Sequence, residues 1–178
     1  MKNNVFLFLG FVLLLSCNEP EARRPITQNT TTILSETVEQ KKRLIALEDS
    51  MIESYIAKDS INSYQTSTNG FWYVYLKKNE NEAPTPNIGE EVEIEYDLGD
   101  LEGNLFYSKD ELGLKKYTID KEDFINGLQE GIKLMKIGET ITFIIPSYRA
   151  YGLIGDGAKI GINQTIKSTV TLVTIKQK

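Results

Sequence analysis

The fold is decided by residues 124–152. They read FINGLQEGI at 124–132, then an apolar run at 141–145, and finally PSYRAYG at 146–152. Four apolar residues before Gly138 recur at helical spacing: Ile125, Leu128, Ile132 and Met135. This spacing predicts a short helix that ends at Gly138, and the continuous apolar run predicts a strand buried in a sheet. Apolar and tyrosyl side chains are therefore expected around one hollow, without a catalytic acid, base or metal ligand.

The composition limits the possible chemistry. The chain has 178 residues, of which 40% are hydrophobic and 25% are charged, the balance of a globular protein with a packed core. It contains no histidine, which removes the commonest general base and excludes Ser-His and Cys-His nucleophiles. Its one cysteine, Cys17, permits neither an intramolecular disulfide nor a cysteine metal cluster. We therefore expect no metal and no cofactor.

The N-terminus has the pattern of a bacterial lipoprotein. An apolar run at 5–15 is shorter than the roughly 20 residues that a helix needs to cross a bilayer. It is followed by Leu14-Leu15-Ser16-Cys17, which fits a lipobox. We therefore predict a signal peptide at 1–16, a lipid on Cys17 that holds the protein to a membrane, and a polar tether at 17–34. A buried free cysteine at the end of a short hydrophobic helix is the alternative.

Two further features of this region bear on location and partners. Asn18 is not the aspartate associated with retention in the inner membrane, so an outer-membrane lipoprotein facing the periplasm is favoured. Residues 1–16 carry one basic group and no acid, so their removal leaves 20 − 1 = 19 basic and 25 acidic groups, a net charge of −6. An acidic domain without a basic run is a poor binder of nucleic acid, and we expect none.

A helical spacer is predicted at 35–62, with its helix at 35–59. Its apolar residues recur on one stripe: Leu44, Leu47, Met51, Ile52 and Tyr55. The stripe either packs on the domain that follows or pairs with a second copy of the chain as a homodimer. The first of these is favoured.

The domain at 70–178 is predicted to be α+β. Residues 71–76 are rich in aromatic and β-branched types, and residues 91–98 and 166–172 alternate apolar with polar side chains, as half-buried antiparallel strands do. Residues 152–165 form a long loop with four glycines, hereafter the glycine loop. Three acidic residues, Asp97, Asp100 and Glu102, are expected at a solvated strand end. Mostly antiparallel strands with one internal helix indicate an α+β fold.

Residues 70–178 resemble the FK506-binding-protein (FKBP) class of peptidyl-prolyl cis-trans isomerases. The resemblance rests on four ordered motifs: Glu93-Ile94-Glu95-Tyr96, Gly103-Asn104-Leu105-Phe106, Phe124-Ile125-x-Gly127-x-x-x-Gly131, and Pro146-Ser147-x-x-Ala150-Tyr151-Gly152. It implies a twisted antiparallel sheet wrapped on one short helix. The lipobox, helix and domain in this order are similar to FKBP-type lipoproteins associated with bacterial gliding motility.

The resemblance also implies roles for individual residues. Ile125 would offer its backbone N–H to the substrate main chain, and Tyr151 would give its hydroxyl to the carbonyl beside the imide. Tyr96, Phe106 and Phe124 would wall the proline ring. Further substrate contacts are expected from Leu128, Tyr107, Tyr148 and Ile160. Rotation about an X-Pro bond breaks no covalent bond, so a dry pocket shaped for the twisted amide can lower its barrier of about 18–20 kcal/mol without a nucleophile.

The chain departs from the family pattern at several pocket positions. Tyr107 stands where an aspartate usually follows the turn phenylalanine, and Leu128 replaces a tryptophan on the pocket floor. Ser168 replaces an aromatic residue of the last strand, and Gly161-Ile162 replaces a pair of prolines. The first interpretation is a membrane-anchored isomerase that acts on proline-containing exported or gliding-motility proteins. The departures motivate a second one, a non-catalytic chaperone or assembly module that binds proline-containing segments.

Overall fold

The computed structural model describes residues 30–176, with side chains from Ser35 onward. The predicted signal peptide, Cys17 and most of the tether lie outside these residues. Residues from Gln40 onward form one compact unit, and Thr30–Glu39 belong to another. None of the described helices is long and apolar enough to cross a membrane.

A long helix precedes the sheet. It is α1 (Thr30–Lys58), so it begins before the predicted position 35. Of the predicted apolar stripe, Ile52 is fully buried and Tyr55 is half-buried. The other members are largely exposed: Leu44 by 50%, Leu47 by 62% and Met51 by 64%. The helix thus packs on the domain through only part of the predicted stripe.

Within the described residues, eight antiparallel strands form one sheet. They are β1 (Gln65–Thr66), β2 (Trp72–Lys77), β3 (Glu91–Tyr96), β4 (Leu98–Gly99), β5 (Leu105–Tyr107), β6 (Lys115–Thr118), β7 (Thr140–Ile145) and β8 (Ile166–Lys176). The strands follow the order β1-β2-β7-β8-β3-β6, and β4 pairs with both β5 and β8. The fold is therefore α+β, as the alternating sequence patterns predict.

The central strands β7 and β8 show how the sequence sets the register. Alternate residues of β8 are buried, and they are Ile166, Ser168, Val170 and Leu172. Its intervening threonines meet threonines of β7 on the other face, with 3.0 Å between the hydroxyls of Thr140 and Thr171 and of Thr142 and Thr169. A slip by one residue would exchange these two faces, so the pattern fixes the pairing of Ile145 with Ile166.

The described part of the domain also contains the short helices α2 (Lys109–Leu112) and α3 (Asn126–Ile132). Helix α3 lies close to the sheet because two of its residues lack side chains. A Cβ on Gly127 would stand 2.5 Å from Cγ2 of Ile145, and one on Gly131 would stand 2.5 Å from the ring of Phe143. Any side chain at either glycine would force the helix away from β7.

The acidic cluster beside β4 differs from its prediction. Asp100 is only 8% exposed, and its carboxylate accepts hydrogen bonds of 2.8 Å from both the backbone and the side chain of Asn104. Asp97 accepts a 2.7 Å bond from the amide of Thr169. The expected solvated strand end is therefore wrong for these two residues, because their carboxylates hold the β4–β5 turn and β8. Glu102 is exposed, as predicted.

Candidate functional site

Side chains from four parts of the chain come together in one aromatic cluster, which is called the hollow below because the family resemblance places the proline ring there. Its members are Tyr96 at the end of β3, Phe106 and Tyr107 in β5, Phe124 and Ile125 before α3, and Tyr151 and Ile160 after β7. The rings of Tyr96 and Phe124 lie 5.5 Å apart and nearly perpendicular, at 87°. Phe124 also packs on Tyr117, with 5.3 Å between ring centroids. The edge-to-face contact with Tyr96 and the tilted contact with Tyr117 together fix the position of Phe124 as a wall of the hollow.

Ile125 lies at the N-cap of α3, where backbone amides lack intrahelical acceptors. Its carbonyl accepts from the amide of Gln129 at 2.9 Å, and the Gln129 side chain donates to the carbonyl of Phe124 at 2.9 Å. Within residues 30–176, no acceptor bonds the amide of Ile125. The N–H that the resemblance assigns to the substrate is therefore available.

Tyr151 follows a 3-10 turn, Ser147–Arg149, that carries it to the hollow. The turn is closed by the amide of Gly152, which donates to the carbonyl of Ser147 at 2.8 Å. The Tyr151 hydroxyl has no hydrogen-bond partner among the described residues. Because every buried side-chain polar atom of these residues has a partner, this hydroxyl must be open to solvent. Burial of the ring, which disfavours the charged phenolate, raises the pKa of Tyr151 to about 12, and electrostatic repulsion from Tyr96 and Asp156 adds to this rise. The hydroxyl is thus a proton donor throughout the physiological range.

The glycine loop is tied to β5 by a tyrosine–carboxylate pair. The hydroxyl of Tyr107 donates to Oδ2 of Asp156 at 2.6 Å, and Oδ1 accepts from the amides of Ala158 and Ile160, both at 2.8 Å. Ile160 is only 3% exposed within the core. The carboxylate of Asp156 thereby sets the position of Ile160 at the hollow.

The hydrogen bonds of this pair shift both of its pKa values. Burial alone would raise the pKa of Asp156, but the bonds from Tyr107, Ala158 and Ile160 outweigh it and hold that pKa below its ordinary value. The bond to Asp156, together with burial, raises the pKa of Tyr107. The pair is therefore a protonated phenol and an ionised carboxylate at neutral pH.

The floor of the hollow is closed. Leu128 and Ser168 are both fully buried, and Oγ of Ser168 donates to the carbonyl of Asp97 at 2.6 Å. Neighbouring groups therefore fill the space beneath the hollow. The contact between Leu128 and a substrate stays a prediction, since its side chain has no exposed surface.

Tyr148 lies apart from the other predicted site residues. Its hydroxyl donates to Oδ1 of Asp49 in α1 at 3.3 Å and lies near Gly70. Its ring is 37% exposed. The structure directs this side chain toward α1, and its substrate contact also stays a prediction.

Two lysines stand over aromatic rings of the hollow. Nζ of Lys115 lies 5.2 Å from the ring centroid of Phe124, and Nζ of Lys159 lies 4.6 Å from that of Tyr107. Lys159 also pairs with Glu111 at 2.5 Å. Sequence reasoning missed these lysines and Asp156, because their partners lie far along the chain and follow no periodic pattern.

Comparison with known proteins shows the family to which the chain is similar. Residues 82–173 match the family described as FKBP-type peptidyl-prolyl cis-trans isomerase. Among curated relatives, the chain is 34% identical over 127 residues to the "Probable FKBP-type peptidyl-prolyl cis-trans isomerase FkpA" of Neisseria meningitidis, which covers 71% of this chain and 44% of that protein. It is 31% identical over 114 residues to the "Peptidyl-prolyl cis-trans isomerase Mip" of Coxiella burnetii, which covers 64% of this chain and 48% of that protein. The chain thus spans less than half the length of these relatives.

Solved structures show the same fold. A peptidyl-prolyl cis-trans isomerase from Pseudomonas syringae superposes with a TM-score of 0.62 at 21% identity, covering 76% of this chain and 96% of that one. FkpA from Escherichia coli superposes with a TM-score of 0.59 at 19% identity, covering 99% of this chain and 82% of that one. Together, the match over more than half of the sequence and the shared fold place the chain in the FKBP-type peptidyl-prolyl cis-trans isomerase family.

Proposed function

We propose that this protein is a peptidyl-prolyl cis-trans isomerase. The observation that carries the proposal is the Tyr151 hydroxyl, which is open to solvent beside the aromatic hollow and has no partner among the described residues. The amide of Ile125, which likewise has no acceptor within residues 30–176, supplies a second donor at the same hollow.

The proposed mechanism needs no bond cleavage. Rotation about the imide bond removes its resonance and with it part of the dipole of the planar amide. Apolar walls formed by Tyr96, Phe106 and Phe124 exclude water and favour this less polar, twisted state. The Tyr151 hydroxyl then donates to the carbonyl beside the imide, and Ile125 holds the peptide main chain. Donors fixed in a dry site stabilise the transition state because they need no reorganisation.

A prolyl-peptide isomerisation assay on the full-length chain in detergent tests this function. The wild type should accelerate the cis-to-trans reaction, and Tyr151→Phe should lower kcat/KM by about two- to tenfold, the equivalent of one hydrogen bond. Tyr75→Phe is the matched control, since Tyr75 lies in β2 away from the hollow. A wild type that gives no acceleration, or a Tyr151→Phe variant equal to it, would contradict the proposal.

For location and clients, we propose an outer-membrane lipoprotein that is anchored through Cys17 and faces the periplasm. The lipobox at 14–17 supports this proposal, as does similarity to the "Outer membrane protein MIP" of Legionella longbeachae, at 30% identity over 92 residues. The proposed clients are proline-containing segments of exported proteins, among them gliding-motility components. Metabolic labelling with a fatty acid should mark the wild type and leave Cys17→Ser unlabelled.

A non-catalytic chaperone is the second candidate function. Its support is the closed floor, because buried Leu128 and Ser168 offer no flat surface to a proline ring. In this case, a Tyr151→Phe variant would suppress aggregation of an unfolded proline-rich protein as well as the wild type does. Loss of suppression in that variant would argue against the chaperone.

The exposed part of the α1 stripe supports a homodimer. Leu44, Leu47 and Met51 place apolar surface in solvent at helical spacing, an arrangement that fits the same face of a second copy. Light scattering in a detergent of known micelle mass should give twice the chain mass. Met51→Glu should halve that mass, and Ala57→Glu, on an exposed residue of the same helix, should leave it unchanged. A monomeric wild type would remove the proposal.

A further inference from the structure

One carboxylate of α1 holds both ends of the segment that carries Tyr151. Oε1 of Glu48 accepts from the amide of Ser147 at 2.5 Å and from the hydroxyl of Thr165 at 2.6 Å. Oε2 of Glu48 accepts from the hydroxyl of Ser147 at 2.8 Å. Ser147 begins the turn before Tyr151, and Thr165 directly precedes β8. Glu48 therefore closes the base of the segment 147–165.

Helix α1 holds Glu48 at this place through its neighbours. One turn further along, Ile52 is fully buried. About two turns beyond Glu48, the Tyr55 hydroxyl accepts from Nζ of Lys167 in β8 at 2.8 Å. One residue beyond Glu48, Asp49 accepts from Tyr148. Because the helix is fixed on the domain directly beyond Glu48, through Asp49, Ile52 and Tyr55, the Glu48 carboxylate cannot follow a displaced segment without breaking these contacts.

The bonds to Glu48 connect inward to the site. The carbonyl of Ser147 accepts from the amide of Gly152, and the carbonyl of Gly152 accepts from the amide of Asn163, both at 2.8 Å. This chain of bonds crosses the segment between its two ends. Tyr151 is covalently next to Gly152, so a shift of Ser147 or of Thr165 moves the residue that carries the hydroxyl.

We propose that Glu48 is a positioning residue of the isomerase site and acts on Tyr151 through Ser147 and Thr165. The inference rests on the proposed isomerase function. Glu48 lies outside the region 82–173 that matches the family, so the helix contributes to the site from beyond that region. Hydrogen bonds to a carboxylate are stronger than those between neutral groups. A glutamine at position 48 would replace one carboxylate oxygen by an NH₂ group, which is itself a donor and would face the donors of Ser147 and Thr165.

Hydrogen exchange tests the structural step independently of catalysis. In the full-length chain, Glu48→Gln should accelerate exchange of the backbone amides between Ala150 and Ile160 by about tenfold, because the segment opens more readily. Glu53→Gln is the matched control, since Glu53 is exposed on the same helix and the charge change is the same. Unchanged exchange in Glu48→Gln overturns the inference, whatever the activity of the protein.

Kinetics test the second step. Glu48→Gln should lower kcat by about two- to tenfold and leave KM within about twofold, because Tyr151 acts on the twisted amide. Thr165→Val, which removes only one of the donors, should give a smaller loss of the same kind. Combined with Glu48→Gln, it should add no further loss, as expected for residues of one network. Faster exchange with unchanged kcat would overturn the positioning role.

The two proposals fail in different ways. If the wild type does not accelerate isomerisation, the proposed function fails. The effect of Glu48 on the site is then measured as the affinity for a fluorescent tetrapeptide that contains Leu-Pro, instead of as kcat. In that case the Tyr151 hydroxyl would contact the bound peptide itself rather than a twisted amide, so Glu48→Gln should weaken binding of that peptide by about two- to tenfold while Glu53→Gln does not. Equal affinities of the wild type and Glu48→Gln would overturn the positioning role in this case too.

Discussion

The hydroxyl of Tyr107 donates a 2.6 Å hydrogen bond to Asp156, which lies 49 residues further along the chain. Through this bond, β5 holds the glycine loop, and the same carboxylate fixes the amide of Ile160. A chain with an aspartate at 107 would place two carboxylates at this point. The tyrosine therefore allows Asp156 to organise the loop.

This pair predicts a graded loss of stability. Tyr107→Phe removes one donor and should lower the free energy of unfolding by about 1 kcal/mol, whereas Asp156→Ala leaves three donors without their acceptor and should cost about 1–3 kcal/mol. Urea unfolding measures both values. Asp110→Ala, at an exposed position of α2, should change the free energy by less than about 0.5 kcal/mol. Equal losses in all three variants would contradict the assignment.

The lowered pKa of Asp156 predicts a specific acid sensitivity. An aspartate whose folded pKa lies below its unfolded value of about 3.9 contributes stability that is complete above that value. This contribution is lost as the pH falls through the folded pKa. The difference in unfolding free energy between the wild type and Asp156→Asn should therefore shrink as the pH falls from about 5 to about 2. A difference that is constant over this range would show that the carboxylate does not gain its stability from ionisation.

Catalysis should be independent of pH near neutrality. The chain has no histidine, the side chain that usually changes charge near neutral pH. The pKa of Tyr151 is raised to about 12, so its hydroxyl keeps its proton between pH 6 and 9. The kcat/KM for a prolyl peptide should vary by less than about twofold over this range. A bell-shaped profile would reveal an acid or base that the proposed mechanism does not contain.

The close approach of α3 to β7 predicts a large effect of one methyl group. Gly131→Ala should lower the free energy of unfolding by about 1–3 kcal/mol, since its Cβ would enter the ring of Phe143. Gly161→Ala is the control, because a Cβ there meets nothing within 4 Å. Thermal or urea unfolding distinguishes the two. A neutral Gly131→Ala would mean that the helix can move off the sheet without cost.

The closed floor predicts that a tryptophan cannot simply be restored. Leu128→Trp adds volume to a fully buried position and should destabilise the protein by about 1–3 kcal/mol. Leu128→Met nearly conserves the volume and should cost less than about 1.5 kcal/mol. A stable Leu128→Trp variant with higher kcat/KM would instead show that the hollow has room at its base.

The fold was predictable where one face of an element repeats a simple pattern. Strand β8 alternates from Ile166 to Leu172, and its burial follows that alternation. The spacing from Ile125 to Ile132 predicted α3, although the helix ends at Ile132 rather than near Gly138. Such patterns suffice to predict a helix or strand because the burial of each residue depends mainly on the hydrophobicity of its own side chain.

The site was less predictable because its polar contacts join distant parts of the chain. Glu48 meets Ser147 across 99 residues, and nothing in the charge pattern of α1 distinguishes it from the exposed Glu53. The predicted stripe of α1 failed in part for the same reason. The face of α1 that packs on the domain is determined by Ile52 and by the polar contacts of Glu48 and Tyr55. Leu47 and Met51 therefore remain exposed, although they belong to the same apolar stripe as Ile52.

The two walls of the aromatic hollow are held in place by different kinds of contact. Gly127 and Gly131 bring the backbone of α3 into direct contact with the side chains of Ile145 and Phe143 on β7, so no side chain at these two positions separates the helix from the sheet. The other wall, formed by Tyr151 and Ile160, belongs to a segment that is held by the hydrogen bonds that Asp156 and Glu48 accept. Substitutions that retune selectivity should therefore accumulate on the hydrogen-bonded wall, while the helical wall keeps a constant shape as the sequence diverges.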